Sequence, residues 1–336
     1  MRDAIKVILY GVGEIGRSIA KALLKRRRYD VVGAIDVREE IIGRDLGEIL
    51  GLEERLNVMI SDKSTEVLES VDADIVVLAT TSYLKQTYPQ IMECLDNSLN
   101  VISTCEELSY PWIKYPKLSD ELDKKARKHG VTVLGTGINP GFLMDTLPIV
   151  LTSPCLSIKS IRVKRIMYSG NRRIQYQKKI GTGLSIEEFK AKIRRREITG
   201  HVGLFESVAL IASTLGWKLD EIVETPPEPV IAERDVETTY TVVKKGRVAG
   251  LRCEAYGLMN EEKVIKLEFV SHACVEDPFD EISIVGEPNV RVRAIGGIHG
   301  DLGTVAMILN MIPEVVSARP GLLTMKDFIH IHAKAG

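Results

Sequence analysis

The sequence lacks the features that mark several whole classes of protein. Across 336 residues no apolar run reaches the roughly eighteen that a membrane-spanning helix needs, so a membrane protein is not expected. Net charge is −1, which gives no broad electrostatic grip on nucleic acid or on an anionic membrane surface. The five cysteines (Cys94, Cys105, Cys155, Cys253 and Cys274) are odd in number, widely spaced and never C-x-x-C. A disulfide framework or zinc ribbon is therefore not indicated, and a reducing cytoplasm is the expected setting. The N-terminus runs from a short strand-like stretch straight into a glycine loop, without the long apolar block of an export signal. There is no internal repeat and no low-complexity tract.

What is present is the balance of a globular protein with a real core: 45% apolar and 27% charged residues. The length favours two domains. Up to about residue 135, β-branched runs (Ile5–Tyr10, Val31–Ile35, Asp74–Ala79, Asn100–Ser103, Val131–Leu134) alternate with helical spacing such as Ile15, Ile19 and Leu23. Continuous apolar strands separated by helices predict a doubly wound parallel sheet covered on both faces. Gly130 is placed to cap the helix ending at Lys128-His129.

After Pro154 the pattern changes. Runs at Ser157–Tyr168, Thr239–Val243, Arg247–Tyr256, Val264–Ser271 and Glu281–Val285 alternate apolar and polar residues, as in Ile161-Arg162-Val163-Lys164-Arg165-Ile166. This predicts an α+β domain whose mixed or antiparallel sheet has one solvated face. Ser185-x-x-Glu188 reads as a capping box, Leu204–Leu215 as a helix, and the ETPPEP segment at Glu224–Pro229 as a stiff loop. The expected division is 1–150, 151–290 for substrate and dimerisation, and 291–336 as a helix and tail returning to the first domain.

Gly11-Val12-Gly13-Glu14-Ile15-Gly16 is G-x-G-x-x-G between a strand and a helix, and Asp36 closes the next strand twenty residues beyond Gly16. This is the Rossmann arrangement for NAD or NADP. Gly11 makes the tight turn, Gly13 lets backbone approach the pyrophosphate, and Gly16 lets helix and strand pack closely. Glu14 and Ile15 open the helix whose N–H groups face the phosphates. Asp36 is expected on the adenosine ribose and Arg38 within reach of a 2′-phosphate, so both cofactors stay open. Thr80, Thr81 and Ser82 follow the fourth strand; they either line the cofactor groove or cap the next helix.

Thr104, Cys105, Glu106 and Glu107 follow the fifth strand, where the nicotinamide end belongs. A carboxylate there can deprotonate an ammonium substrate or an attacking water; the alternative is a solvated acidic loop. Cys105 reads as a small buried hydrophobe. The glycine-rich turn carrying Gly137, Asn139 and Phe142 presses backbone towards a ligand or forms a hinge. Thr304, in the glycine-rich start of the last long helix, adds a hydroxyl. Candidate substrate contacts are Asn139, Phe142, Tyr168, Arg173, His201 and His272. No histidine has metal-ligand spacing, so each is also a structural or surface residue in waiting and no metal is expected. His330 and His332 read as solvated.

The segments IGRDLGEILGL (Ile42–Leu52), VISTCEELSYPW (Val101–Trp112), VLGTGINPGFLMDTLP (Val133–Pro148), QKKIGTGLSIEEF (Gln177–Phe189), GHVGLFESVALIASTLGW (Gly200–Trp217) and Gly296–Pro313 resemble the 2,4-diaminopentanoate dehydrogenase family. That family is related to dihydrodipicolinate reductases and native amine dehydrogenases. The resemblance implies NAD(P)-dependent oxidative deamination of a primary amine or diamino acid, with 2,4-diaminopentanoate converted to 2-amino-4-oxopentanoate and ammonia. It also implies a homodimer, and a catalytic glutamate in the CEE segment, Glu106 being favoured over Glu107. Met167–Arg173 departs from the family pattern. The rival readings are a dihydrodipicolinate reductase-like imine reductase, against which stands the absence of H-H-x-x-K, and a nonenzymatic NAD sensor, for which no DNA- or partner-binding module is visible.

Overall fold

The computed structural model describes residues 4–330 and 332–333, which divide into two compact units. Unit 1 comprises the chain up to Phe142 together with Gly300–Phe328; unit 2 comprises Leu143–His299 and the residues from Ile329 onward.

In unit 1, β1 (Ile5–Tyr10), α1 (Glu14–Leu24), β2 (Tyr29–Ile35), α2 (Leu46–Leu50), β3 (Ile60–Ser61), α3 (Ser64–Ser70) and β4 (Ile75–Leu78) come first. They are followed by α4 (Leu84–Asp96), β5 (Asn100–Ser103), a 3-10 turn (Glu106–Ser109), α5 (Pro116–His129) and β6 (Thr132–Gly135). Gly130 ends α5 at φ 71°, the left-handed cap its position predicts.

Unit 2 holds α6 (Thr146–Leu151), β7 (Ser157–Tyr168), α7 (Ile174–Lys179), α8 (Ile186–Arg194), α9 (Leu204–Leu215), β8 (Glu221–Glu224) and β9 (Glu228–Ile231). Next are β10 (Val236–Glu237), β11 (Val242–Val243), β12 (Val248–Met259), β13 (Glu262–His272), β14 (Phe279–Glu287) and β15 (Val290–Ile295). The chain then completes unit 1 with α10 (Gly300–Ser317), β16 (Gly321–Leu323) and a 3-10 turn (Met325–Phe328).

Unit 1 is the expected parallel sheet, in the order β16-β6-β5-β4-β1-β2-β3. Its alternate residues Ile8, Val76, Leu78, Val101 and Val133 pack with Leu84, Ile91, Leu122 and Ala126 of α4 and α5. On the other face lies α10, which buries Val305, Ile308, Leu309, Ile312 and Val315 and accepts the Tyr29 hydroxyl at the Leu309 carbonyl, 2.6 Å away. Strand order reverses beside β1, which places a ligand crevice beyond the carboxyl ends of β1 and β4.

The unit 2 sheet runs β15-β14-β7-β13-β12-β8, with β9 also on β12. It is mixed: β7 and β13 run parallel and the other pairs antiparallel. One face is covered by α9, whose apolar residues pack on β12 and β13. The other carries ion pairs such as Lys266–Glu254 (2.9 Å) and Arg291–Glu281 (2.9 Å), the solvated face that the alternation predicts. The Ser185–Glu188 capping box forms at the start of α8. Two expectations fail. Glu224–Pro229 is not one loop, since β8 ends and β9 begins within it. The Thr239–Val243 run yields only the two residues of β11.

The covered face holds an exception to its apolar pattern. Arg165 and Asp280, register partners on β7 and β14, lie 3.6 Å apart with side chains 1% and 2% exposed. Asp280 accepts from the Ile298 N–H at 2.7 Å, and Arg165 donates to the Ile298 carbonyl. Burial pushes the Asp280 carboxyl up, opposed by the Arg165 charge and the Ile298 amide. Removing one partner leaves a buried charge uncompensated, so Asp280→Ala should cost about 3–5 kcal/mol in urea unfolding. Asp280→Ala combined with Arg165→Met should recover most of that loss. An unchanged unfolding midpoint for Asp280→Ala would show that the pair does not hold the fold.

Candidate functional site

The glycine loop after β1 is built by steric exclusion. A Cβ on Gly16 would lie 1.9 Å from the Gly11 carbonyl oxygen, and one on Gly11, at φ +101°, would lie 2.5 Å from the Ala79 carbonyl. Only glycine allows α1 to start this close to the ends of β1 and β4. Gly13 is the N-cap of α1 and supplies no side-chain cap, so the helix N-terminus faces the loop without a side chain in between. A Cβ on Gly13 would meet nothing within 4 Å, which is the open approach a pyrophosphate needs. Glu14 is exposed and Ile15 half-buried on that first turn.

Asp36, 8% exposed, sits just past β2 and accepts from the Val12 N–H at 2.7 Å. Burial alone would raise its carboxyl. The Arg38 guanidinium and the Val12 and Arg38 amides outweigh burial and hold it below the usual carboxylate range. These residues fit a dinucleotide: a cradle without side chains, the N-terminus of a helix and an ionised acid at the ribose position.

Beyond β4 and β5 lie the remaining unit 1 candidates. The Thr80 and Thr81 hydroxyls donate to Gln90 (2.7 Å) and Gln86 (2.8 Å), and the Ser82 carbonyl accepts from the Glu107 N–H at 3.2 Å. Neither Thr81 nor Ser82 caps α4, contrary to that reading of the sequence; its N-cap is Tyr83, whose side chain does not cap the helix. The cap comes from a distance. The Glu107 carboxylate accepts the Leu84 N–H at 2.8 Å and the Tyr115 hydroxyl at 3.0 Å.

Glu107 is therefore 6% exposed and committed to the framework, whereas Glu106, its neighbour on the 3-10 turn, is half-buried. The turn is held against β6 because Gly135 has no side chain; a Cβ there would lie 2.6 Å from the Leu108 carbonyl carbon. Thr104 donates its N–H to Leu78 at 3.1 Å. Burial pushes the Cys105 thiol up to about 12, which removes it as a nucleophile.

Gly137, Asn139 and Thr304 also come together. The Thr304 hydroxyl accepts from the Ile138 N–H at 3.4 Å, and Gly303 leaves room for Ile138. Asn139 is buried, precedes a cis Pro140, and is followed by half-buried Phe142. The carboxyl edge of one sheet thus gathers the glycine loop, Asp36, Arg38, Thr80–Ser82, Thr104, the glutamate turn and the Gly137–Phe142 turn.

The other candidates belong to unit 2. Tyr168 and His272 are register partners at the ends of β7 and β13. His272 accepts the Cys274 N–H at Nδ1, 3.2 Å away, and burial lowers its pKa. His201 lies on the Phe269 ring at 4.4 Å; burial, with Lys179 and Arg165 nearby, pushes its pKa down to about 3, so it is neutral. Arg173 is exposed at the start of α7, while Arg172 is buried over the Tyr176 ring at 4.6 Å. His330 is exposed and His332 half-buried.

Sequence reasoning missed Arg165, Asp280 and Tyr176, whose hydroxyl meets Ser271 at 2.9 Å. Among the described residues, Arg165 Nη1 and Asp280 Oδ1 are buried without a hydrogen-bond partner. One signal was available: Arg165 occupies the place in the β7 alternation that Ile161 and Val163 fill with apolar side chains. Among the described residues no group of three metal-ligating side chains exists, and no helix is long and apolar enough to cross a membrane.

Comparison with known proteins agrees with this arrangement. Residues 142–336 match the family model described as the 2,4-diaminopentanoate dehydrogenase C-terminal domain, and residues 5–105 match that of the dihydrodipicolinate reductase N-terminus. The chain is 33% identical to the 2,4-diaminopentanoate dehydrogenase of Acetoanaerobium sticklandii over 97% of its own length and 93% of that protein's. It is 23% identical to an amine dehydrogenase of Streptomyces virginiae, over 96% of each chain. Among solved structures, the amine dehydrogenase of Mycobacterium smegmatis superposes with a TM-score of 0.84 at 28% identity, over 97% of this chain and 96% of that one.

The Glu107 contacts make a prediction independent of any activity. Glu107→Ala removes a buried cap and leaves the Leu84 amide unmatched, so stability should fall by about 1–3 kcal/mol in urea unfolding. Glu106→Ala should change it by less than about 0.5 kcal/mol. The reverse order would contradict the division of roles between the two glutamates.

Proposed function

The chain belongs to the 2,4-diaminopentanoate dehydrogenase family, and from that premise we propose that it deaminates a primary amine oxidatively with NAD or NADP, 2,4-diaminopentanoate being the favoured substrate. The observation that carries the mechanism is the commitment of Glu107 to the Leu84 amide and the Tyr115 hydroxyl. Of the two acids on the turn beyond β5, Glu106 is thereby the one assigned to chemistry.

Gly11, Gly13 and Gly16 would cradle the nicotinamide cofactor, which would supply the acceptor for hydride from the amine-bearing carbon. Glu106 prepares the substrate for that transfer. An ammonium has no lone pair to stabilise the electron-poor carbon, so Glu106 first accepts a proton from it. Glu106 releases that proton to solvent; water then attacks the carbon–nitrogen double bond, and Glu106 takes up the proton that the water loses. Collapse of the carbinolamine breaks the carbon–nitrogen bond, with the proton delivered to the leaving nitrogen. In sum, ammonium, water and oxidised cofactor give ketone, ammonium, reduced cofactor and one proton. Gly137, Asn139 and Thr304 support the same reading, since the turn they fix brings backbone to the sheet edge where the cofactor binds.

The substrate class draws support from unit 2. A diamino acid presents a carboxylate beside an ammonium. The buried guanidinium of Arg165 and the carboxylate of Asp280 offer bonding atoms of both matching charges, Nη1 and Oδ1. Neutral His201, on the Phe269 ring, and the Tyr176 hydroxyl, on Ser271, are further polar groups of that covered face. We assign the reacting amine to Glu106.

A homodimer fits the family. Edge strand β15 exposes Val292 (41%) and Ile295 (87%), an apolar edge suited to a second copy.

With wild-type protein, reduced cofactor should form with 2,4-diaminopentanoate and not with hydroxy acids. Glu106→Gln should lower kcat by roughly 10²–10⁴-fold, the usual weight of a general base, while NADH binding stays within about threefold. Wild-type turnover in Glu106→Gln would remove the assignment. Light scattering should give twice the 37.3 kDa chain mass; a monomer at micromolar concentration would exclude the dimer.

A further inference from the structure

The segment QKKIG opens on a buried side chain that no step of the reaction uses. Gln177, on α7, is 0% exposed. Its Nε2 donates to the Gly170 carbonyl (3.3 Å), the Arg172 carbonyl (2.7 Å) and the Thr239 hydroxyl (2.8 Å). Three acceptors around that nitrogen fix which way the carboxamide points. Thr239, between β10 and β11, repeats the pattern from the other side. Its N–H donates to the Gly170 carbonyl at 2.9 Å and its hydroxyl to the Arg172 carbonyl at 3.1 Å. Each carbonyl thus accepts once from Gln177 and once from Thr239, which uses both of its lone pairs.

The turn gripped in this way leads straight into α7. The Arg172 N–H donates to the Ser169 carbonyl at 3.1 Å, and the Ser169 N–H to the His272 carbonyl at 3.1 Å. The Arg172 guanidinium lies 4.6 Å from the centre of the Tyr176 ring, and the Tyr176 hydroxyl donates to Ser271 on β13 at 2.9 Å. Both residues act on Arg165. Burial lowers the Arg165 pKa, Asp280 and Tyr176 oppose that, and Arg172 adds to it. Lys179, which ends α7, and Arg165 add to the effect of burial on His201. The Gln177 Oε1 atom is buried with no hydrogen-bond partner among the described residues. An unmatched buried acceptor is destabilising, and an apolar side chain of the same volume would avoid it. An apolar side chain could not, however, hold two carbonyls of one turn in a fixed orientation.

We propose that Gln177 is a positioning residue for the amine substrate: with Thr239 it fixes the turn at 169–172, and so sets where Arg172 and Tyr176 stand on the covered face that carries Arg165. The proposal rests on the reading of that face as the part of unit 2 that meets the substrate. It gives Gln177 no contact with substrate or cofactor.

Cofactor reduction by 2,4-diaminopentanoate, with NADH binding measured separately by fluorescence, tests this. Gln177→Leu should raise KM for the amine at least about tenfold, with kcat within about threefold and NADH affinity within about twofold of wild type. Thr239→Val should act in the same direction, and it carries the test if Gln177→Leu does not fold. Thr239→Ser keeps the hydroxyl and should retain the wild-type KM. An unchanged KM, a kcat that falls as steeply as kcat/KM, or Thr239→Ser as impaired as Thr239→Val would each overturn the positioning role. All three outcomes leave the dehydrogenase reading intact. A wild type that reduces neither NAD nor NADP with any amine would overturn both.

Discussion

The carboxylate of Glu107, buried between the start of one helix and the hydroxyl of another, is the contact on which the candidate site depends. The Leu84 amide is one of the donors that an α-helix cannot satisfy from within, and Glu107 accepts it from 23 residues away. The same carboxylate takes the Tyr115 hydroxyl just before α5. One side chain therefore ties the turn beyond β5 to the helices on either side of it. With Leu108 seated on the bare backbone of Gly135, the turn has little freedom left. A general base must be held within a fraction of an ångström of its proton, and a loop acid without such anchoring could not be.

Asp36 illustrates the same logic with a different outcome. Both acids follow a strand of the parallel sheet, and both accept backbone amides. Glu107 takes its donors from the Leu84 amide and the Tyr115 hydroxyl, both parts of the framework around the turn. Asp36 also takes donors from a side chain, the Arg38 guanidinium, which is 36% exposed. Burial alone would not distinguish them, since the two are 6% and 8% exposed.

The sequence was legible where the determining contacts are local. The glycine loop, the Gly130 cap and the Ser185–Glu188 box each depend on residues a few positions apart, and each formed as its spacing predicts. The parallel sheet and the half-solvated second sheet followed from hydrophobic period. What stayed hidden depends on long-range partners. Nothing near CEE reveals that Glu107 meets Leu84 and Tyr115. Nothing near Thr81 or Ser82 reveals that the α4 amide is already taken. Arg165 and Asp280 are 115 positions apart, yet the alternation of β7 did carry a trace of them, as a charged residue in an apolar row. The run Arg172-Arg173 could not be divided from sequence, because only the fold buries the first over Tyr176 and leaves the second in solvent.

That charged residue in an apolar row bears on how unit 2 can serve recognition. An ion pair withdrawn from water is a weak source of net stability, since desolvating each charge cancels much of their attraction. Apolar residues of equal volume would hold β7 and β14 together as well. A buried pair does differ from them in one respect: it keeps directional bonding capacity in a place where water competes poorly. Among the described residues Arg165 Nη1 and Asp280 Oδ1 have no hydrogen-bond partner, Oδ1 facing Arg165 Nε as an ion pair at 3.6 Å, and both side chains are fixed by the Ile298 peptide. Held rigid, such a pair keeps its charges fixed at a smaller ordering cost than two surface side chains would.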